Sequence, residues 1–97
     1  TTFINMFLED SVARLATIKV ARADLDWESL SKIAHALKGS CSYVGAERMR
    51  QLCQSLENIG RPSSTETVDK LIASLQQEFQ VIHTALLNIM KPNTPNA

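Results

Sequence analysis

The feature that most constrains this chain is how few helix breakers it contains. No proline precedes Pro62, and glycine occurs only at Gly39, Gly45 and Gly60. β-branched residues are scattered and never alternate in strand fashion. Apolar residues recur instead at steps of three and four, which is the period of an amphipathic helix. The chain is therefore expected to be all-helical.

Four helices follow from that pattern. The first is predicted over 2–23, with Ile4, Phe7, Leu8, Val12, Leu15 and Ile18 on one stripe. Asp24-Leu25-Asp26 interrupts it, and the short carboxylate of Asp26 can cap the next helix. The second is predicted over 27–44, with Leu30, Ile33, Ala34, Leu37, Cys41 and Val44 inward. Gly45 marks a break. The third is predicted over 46–59, with Met49, Leu52, Cys53, Leu56 and Ile59 inward and Gly60 as its stop. Ser63-x-x-Glu66 has the form of a capping box for the fourth, predicted over 64–91. Its stripe is Val68, Leu71, Ile72, Leu75, Phe79, Ile82, Leu86 and Ile89, and Pro92 ends it before a tail over 92–97. Short connections between amphipathic helices predict an antiparallel up-down-up-down four-helix bundle, a single domain over residues 1–97.

Composition narrows the function. Ten basic and ten acidic residues cancel, so the chain lacks the positive field of a typical nucleic-acid binder. No apolar run approaches the roughly 20 residues of a membrane span, and no signal peptide is visible. The chain starts Thr1-Thr2-Phe3 without an initiator Met, as expected of a domain excised from a longer protein. Cys41 and Cys53 fall in apolar segments and are expected to be reduced core residues of a cytoplasmic protein. His35, Cys41, Cys53 and His83 have no zinc-site spacing, so no metal site is expected.

The outer face of the second helix carries the chemistry. Advancing about 100° per residue from Leu30 puts His35 about 140° from the buried centre, facing solvent. Lys38 and Gly39 lie one turn further on the same side. An exposed glycine within a helix costs about 1 kcal/mol relative to alanine. It can be offset by access, since without a Cβ the surface beside His35 stays open. Imidazole is a competent nucleophile near neutral pH, and a phosphoryl group on it would carry about two negative charges. Lys38 can stabilise that charge, and Ser42 and Ser31 can donate hydrogen bonds nearby. The spacing alone leaves a second reading open, in which His35 and Lys38 are simply a solvated face. His83, at the edge of the fourth stripe with no polar cluster, is expected to have no chemical role.

The run His35-Ala36-Leu37-Lys38-Gly39-Ser40-Cys41-Ser42-Tyr43-Val44-Gly45-Ala46 closely resembles the H-x-L-K-G-S-S-x-x-x-G-A signature of histidine-containing phosphotransfer (Hpt) domains. Asp26-Trp27-Glu28 before it, Leu52-Cys53-x-x-Leu56-Glu57 after it and the closing Glu78-Phe79 are similar to the same family. The resemblance covers essentially the whole chain. It implies a four-helix bundle with His35 as phosphoacceptor, taking a phosphoryl group from an aspartate of one receiver domain and passing it to another. It also implies that Lys38 is the lysine of the motif, that Gly39 opens the approach, and that Ser40 begins the motif's serine pair. Cys41 replaces the second serine, and the helical wheel places it inside as a packing change. Glu57 stands where several members have a glutamine bonded to the active histidine, and its carboxylate can fix the imidazole tautomer or simply be solvated.

Partners follow from the same resemblance. Receiver domains of response regulators or hybrid histidine kinases are expected to dock across the first two helices. An apolar patch of Phe3, Ile4, Phe7 and Leu8, bordered by Ser31 and Lys32, is the expected surface, although these apolar residues can equally be core. The Mg²⁺ of the reaction is expected on the receiver, because no carboxylate cluster is available here to hold it. With no phosphate-binding loop, the chain is expected to be a monomeric phosphocarrier and not an ATP-using enzyme. A dimeric histidine-kinase bundle would need a dimer and an adjoining ATP-binding domain. The alternative function is a helical docking module that binds receivers or other partners without carrying phosphate.

Overall fold

The structure, a computed structural model, describes residues 2–90. The expected tail, with Pro92 and the last residue assigned to the fourth helix, lies outside the described residues. Four helices make up the fold: α1 (Thr2–Ala23), α2 (Trp27–Val44), α3 (Glu47–Glu57) and α4 (Thr65–Met90). Each packs on its neighbour in sequence, and α1 closes the ring against α4. The most extensive contact joins α2 to α3, and the slightest joins α1 to α4. No helix among the described residues is long and apolar enough to cross a membrane.

The connections explain the tight antiparallel geometry. Asp26 serves two helices at once. Its N–H closes α1 on the Ala21 carbonyl at 2.8 Å, while Leu25 N–H reaches the Arg22 carbonyl at 3.1 Å. This is a Schellman closure, and it puts Leu25 in the left-handed region at φ 56°. The Asp26 carboxylate then accepts from the Ser29 N–H at 3.1 Å and from Ser29 Oγ at 2.7 Å, capping α2 as expected. Those two hydrogen bonds, the hydroxyl's first, hold the Asp26 carboxyl below its usual range. At the far end of α2, Gly45 takes φ 71° and Ala46 N–H closes on the Cys41 carbonyl at 3.1 Å.

Several details differ from the sequence expectation. The third helix is shorter than 46–59: it ends at Glu57, where Asn58 N–H still meets the Gln54 carbonyl, and Gly60 lies in the following turn. Ser64, not Ser63, caps α4, its hydroxyl accepting from Glu66 N–H at 3.2 Å. The capping box with Glu66 therefore does not form, and α4 starts at Thr65. On α1 the buried stripe runs through Ser11, which is fully buried, while Val12 is 56% exposed.

The core is built from Leu15 and Ile18 of α1, Leu30, Ala34, Leu37 and Cys41 of α2, Met49, Cys53 and Leu56 of α3, and Val68, Ile72, Leu75 and Phe79 of α4. Full burial of each large aliphatic side chain contributes about 1.5–3 kcal/mol. The 11 residues of α3 cannot cover the 26 of α4. Beyond the Arg48–Glu78 ion pair near the start of α3, α1 is the remaining neighbour of α4. That is why Ile89, expected on the inner stripe, is exposed.

Candidate functional site

The polar cluster lies across the seam between α2 and α3. His35 projects from the middle of α2 with its side chain 66% exposed. Its Nδ1 lies 2.8 Å from Glu57 Oε2. A carboxylate offers only acceptors, so Nδ1 carries the hydrogen, and in the neutral ring Nε2 keeps the lone pair. Nε2 has no partner among the described residues.

Glu57 is the last residue of α3, the negative end of that helix, where a carboxylate is disfavoured without a compensating cation. Lys38 supplies it: its Nζ lies 2.6 Å from Glu57 Oε1. The Lys38 ammonium against it, and to a smaller extent the His35 hydrogen bond, hold the Glu57 carboxyl below its usual range against partial desolvation. Lys38 Nζ also donates to Gln54 Oε1 at 3.1 Å, one turn back on α3. Ser31 Oγ donates to the Glu57 backbone carbonyl at 2.7 Å, satisfying one of the free carbonyls at the end of α3. Three α2 residues on one face, Ser31, His35 and Lys38, thus grip the last turn of α3.

The site residues expected from sequence divide clearly. His35, Lys38 and Glu57 come together. Gly39 is exposed, and a Cβ placed there would meet nothing within 4 Å. The fold itself therefore has no steric need of a glycine at that position. Ser42 Oγ bonds weakly back to the Lys38 carbonyl at 3.4 Å, and Ser31 is committed to α3. Lys32 pairs with Glu28 at 3.2 Å, and both side chains are highly exposed. His83 stacks on Phe79 with ring centroids 5.6 Å apart.

The apolar patch requires correction. Phe7 and Leu8 are buried in the core at 5% and 8% exposure, so neither is an exposed patch residue, although Phe7 reaches the wall of the cleft described below, and Ile4 is half-buried. They sit on the α1 stripe that faces the bundle. Phe3 remains, 53% exposed, joined by Met6 and by Tyr43 at 80%. The Phe3 and Tyr43 rings meet edge to face at 6.3 Å. Together with Phe7, Asp10, Arg14 and Ser40 they border a cleft of about 270 Å³ between the start of α1 and the end of α2. Along its lining Asp10 pairs with Arg14 at 2.7 Å and accepts from Ser40 Oγ at 3.3 Å.

Sequence reasoning missed Gln54 and the bond from Ser31 to α3. The signal for Gln54 was present, since it stands one turn before Glu57 on the same face. Cys41 and Cys53 are both free and fully buried, consistent with a packing change at the motif's second serine. The hydrogen bond with Cys41, followed by burial, pushes the Cys53 thiol up.

Comparison with known proteins points the same way. The family model described as the Hpt domain matches residues 2–87. Sensor protein TorS of Escherichia coli (strain K12) is 34% identical over 73 residues, 73% of this chain and 8% of that protein. Multistep phosphorelay regulator 1 of Schizosaccharomyces pombe is 32% identical over 65 residues, 67% of this chain and 22% of that protein. Histidine-containing phosphotransfer protein 2 of Arabidopsis thaliana is 27% identical over 86 residues, 86% of this chain and 55% of that protein. The chain thus spans less than two thirds of the length of each of these relatives. No solved structure matches.

Proposed function

The chain belongs to the Hpt domain family, the phosphotransfer intermediates of multistep phosphorelays, and from that premise we propose that His35 is its phosphoacceptor. The observation that carries the proposal is the Nδ1 bond to Glu57, which in the neutral ring makes Nε2 the nitrogen with a free lone pair, on an exposed side chain. Nε2 attacks the phosphorus of a receiver's aspartyl phosphate in line. The P–N bond forms, the P–O bond breaks, and its electron pair leaves with the receiver carboxylate. Transfer onto a second receiver aspartate is the reverse. Such a reaction needs positioning and charge stabilisation more than covalent help from the protein. Mg²⁺ belongs to the receiver's side of the reaction.

Lys38 has a double task in this reading. Its ammonium, anchored by Glu57 and Gln54, sits one turn from the imidazole and offsets the arriving negative charge. Gly39 leaves the approach to Nε2 open to a partner's backbone, which explains a glycine that the fold does not itself require. Phe3, Met6 and Tyr43 provide the apolar part of the docking surface, with Ile4 at its margin. The receivers belong to response regulators or hybrid kinases, and the domain works as a cytoplasmic monomer that carries phosphate without ATP.

The test uses a receiver domain preloaded with labelled phosphate in the presence of Mg²⁺. Acid-labile, base-stable label on this chain that disappears in His35→Gln is the expected result. Receiver binding without label transfer would replace the proposal with a docking module that carries no phosphate.

A further inference from the structure

The acid at position 57 has a consequence for the phosphorylated state, and it rests on His35 being the phosphoacceptor. When Nε2 attacks, the ring keeps its Nδ1 hydrogen and becomes a phospho-imidazolium. If that hydrogen stays, the P–N bond later breaks to release a neutral imidazole. If it is lost, the leaving group is an imidazolide anion, a far poorer one. An imidazolium titrates near neutral pH, at about 6.5 when unperturbed, so something must decide which form persists.

We infer that Glu57 is a positioning residue that keeps the Nδ1 proton on the phosphorylated His35 ring, and so keeps the phosphoryl group transferable across neutral pH. Its Oε2 stands 2.8 Å from Nδ1, close enough to pair with a ring cation. Its Oε1 stands 2.6 Å from Lys38 Nζ, so the carboxylate stays ionised and does not take the proton for itself. A glutamine at this position would accept the same hydrogen bond but carry no charge to hold a cation. On attack the P–N bond forms while the N–H bond is untouched. On transfer the P–N electron pair returns to Nε2, and the ring is again the neutral tautomer bonded to Glu57. No proton has to be fetched or shed in either direction.

The surroundings contain few rivals for that proton. On α2 the neighbouring charges are Lys38 and, on the outer face, Lys32, which is paired with Glu28. On α3 the nearby titratable group is the buried Cys53 thiol, beneath Lys38 and Glu57. The α1 charges that meet α2, Asp10 and Arg14, do so through Ser40 and are paired to each other. The α4 carboxylates Asp69 and Glu78 are engaged by Arg22 and Arg48.

The experiment needs no receiver. The isolated domain is phosphorylated with phosphoramidate, and loss of the phosphoryl group to water is followed by ³¹P NMR from about pH 6 to about 8. A nearly flat rate is expected for the unmodified chain. For Glu57→Gln the rate should fall by about tenfold per pH unit above its midpoint. In parallel, ¹⁵N NMR of the phosphorylated unmodified chain should show the Nδ1 proton retained at about pH 8. Loss of that proton there overturns the inference without recourse to any variant, and so do identical pH profiles for the two chains. Failure of phosphoramidate to label His35 at all would instead remove the phosphohistidine reading on which the inference stands.

Discussion

The two seams that flank the bundle are built in opposite ways. Between α2 and α3, fully buried Leu30, Leu37, Met49 and Leu56 lie under a polar layer in which Ser31, His35, Lys38, Gln54 and Glu57 bond across the helices. Between α1 and α4, a groove of about 350 Å³ lies open beside Val12, Lys19 and Gln76, and the Arg22–Asp69 ion pair bridges the helices at 2.6 Å. The chemistry we propose for His35 would be mounted on the close seam. A nucleophile must present one nitrogen in one direction, and that requires its orienting partner to be held by a neighbouring helix that does not slide. The open seam has no such group to hold.

Core truncation should expose this contrast most strongly. Leu37→Ala, at a fully buried position between α2 and α3, is expected to cost about 2–5 kcal/mol in urea unfolding. Val12→Ala, beside the groove, should stay within about 0.5 kcal/mol. Equal losses would mean that the groove is closed in solution and that the two seams do not differ.

Lys38→Ala tests the polar layer itself. Removing a charge aimed at a developing oxyanion costs about 10²-fold in comparable sites, and phosphoryl transfer from a receiver should slow by about that factor. A merely solvated lysine would leave the rate within about twofold. The seam should persist, since the buried leucines carry most of its stability.

Much of this arrangement was legible in the sequence, for identifiable reasons. Sparse breakers and three-and-four periodicity fixed the number of helices, and Asp26 announced its cap by chemistry alone. His35, Lys38 and Glu57 were flagged by residue types in a motif and by a wheel that put His35 outside. What was not legible depended on neighbours. Val12 and Ser11 are neighbours in sequence, and only the packing of the other helices decides which of them is buried. Ile89 has the right period but outruns α3. Phe7 and Leu8 looked superfluous to a single stripe, yet both fit against the core. Leu25 takes a left-handed conformation with no glycine to signal it, because the Schellman closure of α1 and the cap of α2 meet there.

Gly39→Ala separates fold from docking on the close seam. Replacing an exposed helical glycine with alanine should stabilise the isolated chain by about 1 kcal/mol, because nothing occupies the space of the new Cβ. Receiver affinity or transfer rate should fall at the same time. A more stable chain with unchanged transfer would show that the open surface at Gly39 is not used by the partner.

The smallest effect concerns acid. Lys38 and His35 hold Glu57 below its usual range, and Arg22 does the same for Asp69. In both cases the folded state binds fewer protons than the unfolded one just below about pH 4. Each carboxylate therefore contributes stability that is complete above the unfolded value and is lost as pH falls through the folded one. The contributions should differ, because the Glu57 side chain is 22% exposed and has two partners, whereas that of Asp69 is 52% exposed and has one. Urea midpoints measured from about pH 5 down to about pH 2 should fall less steeply in Glu57→Gln than in Asp69→Asn, since the residue with the larger pH-dependent share has been removed. If Asp69→Asn flattened the acid limb more, the ion pair across the open seam would be the stronger one, and the stiffness assigned to the α2–α3 side would have to come from its leucines alone.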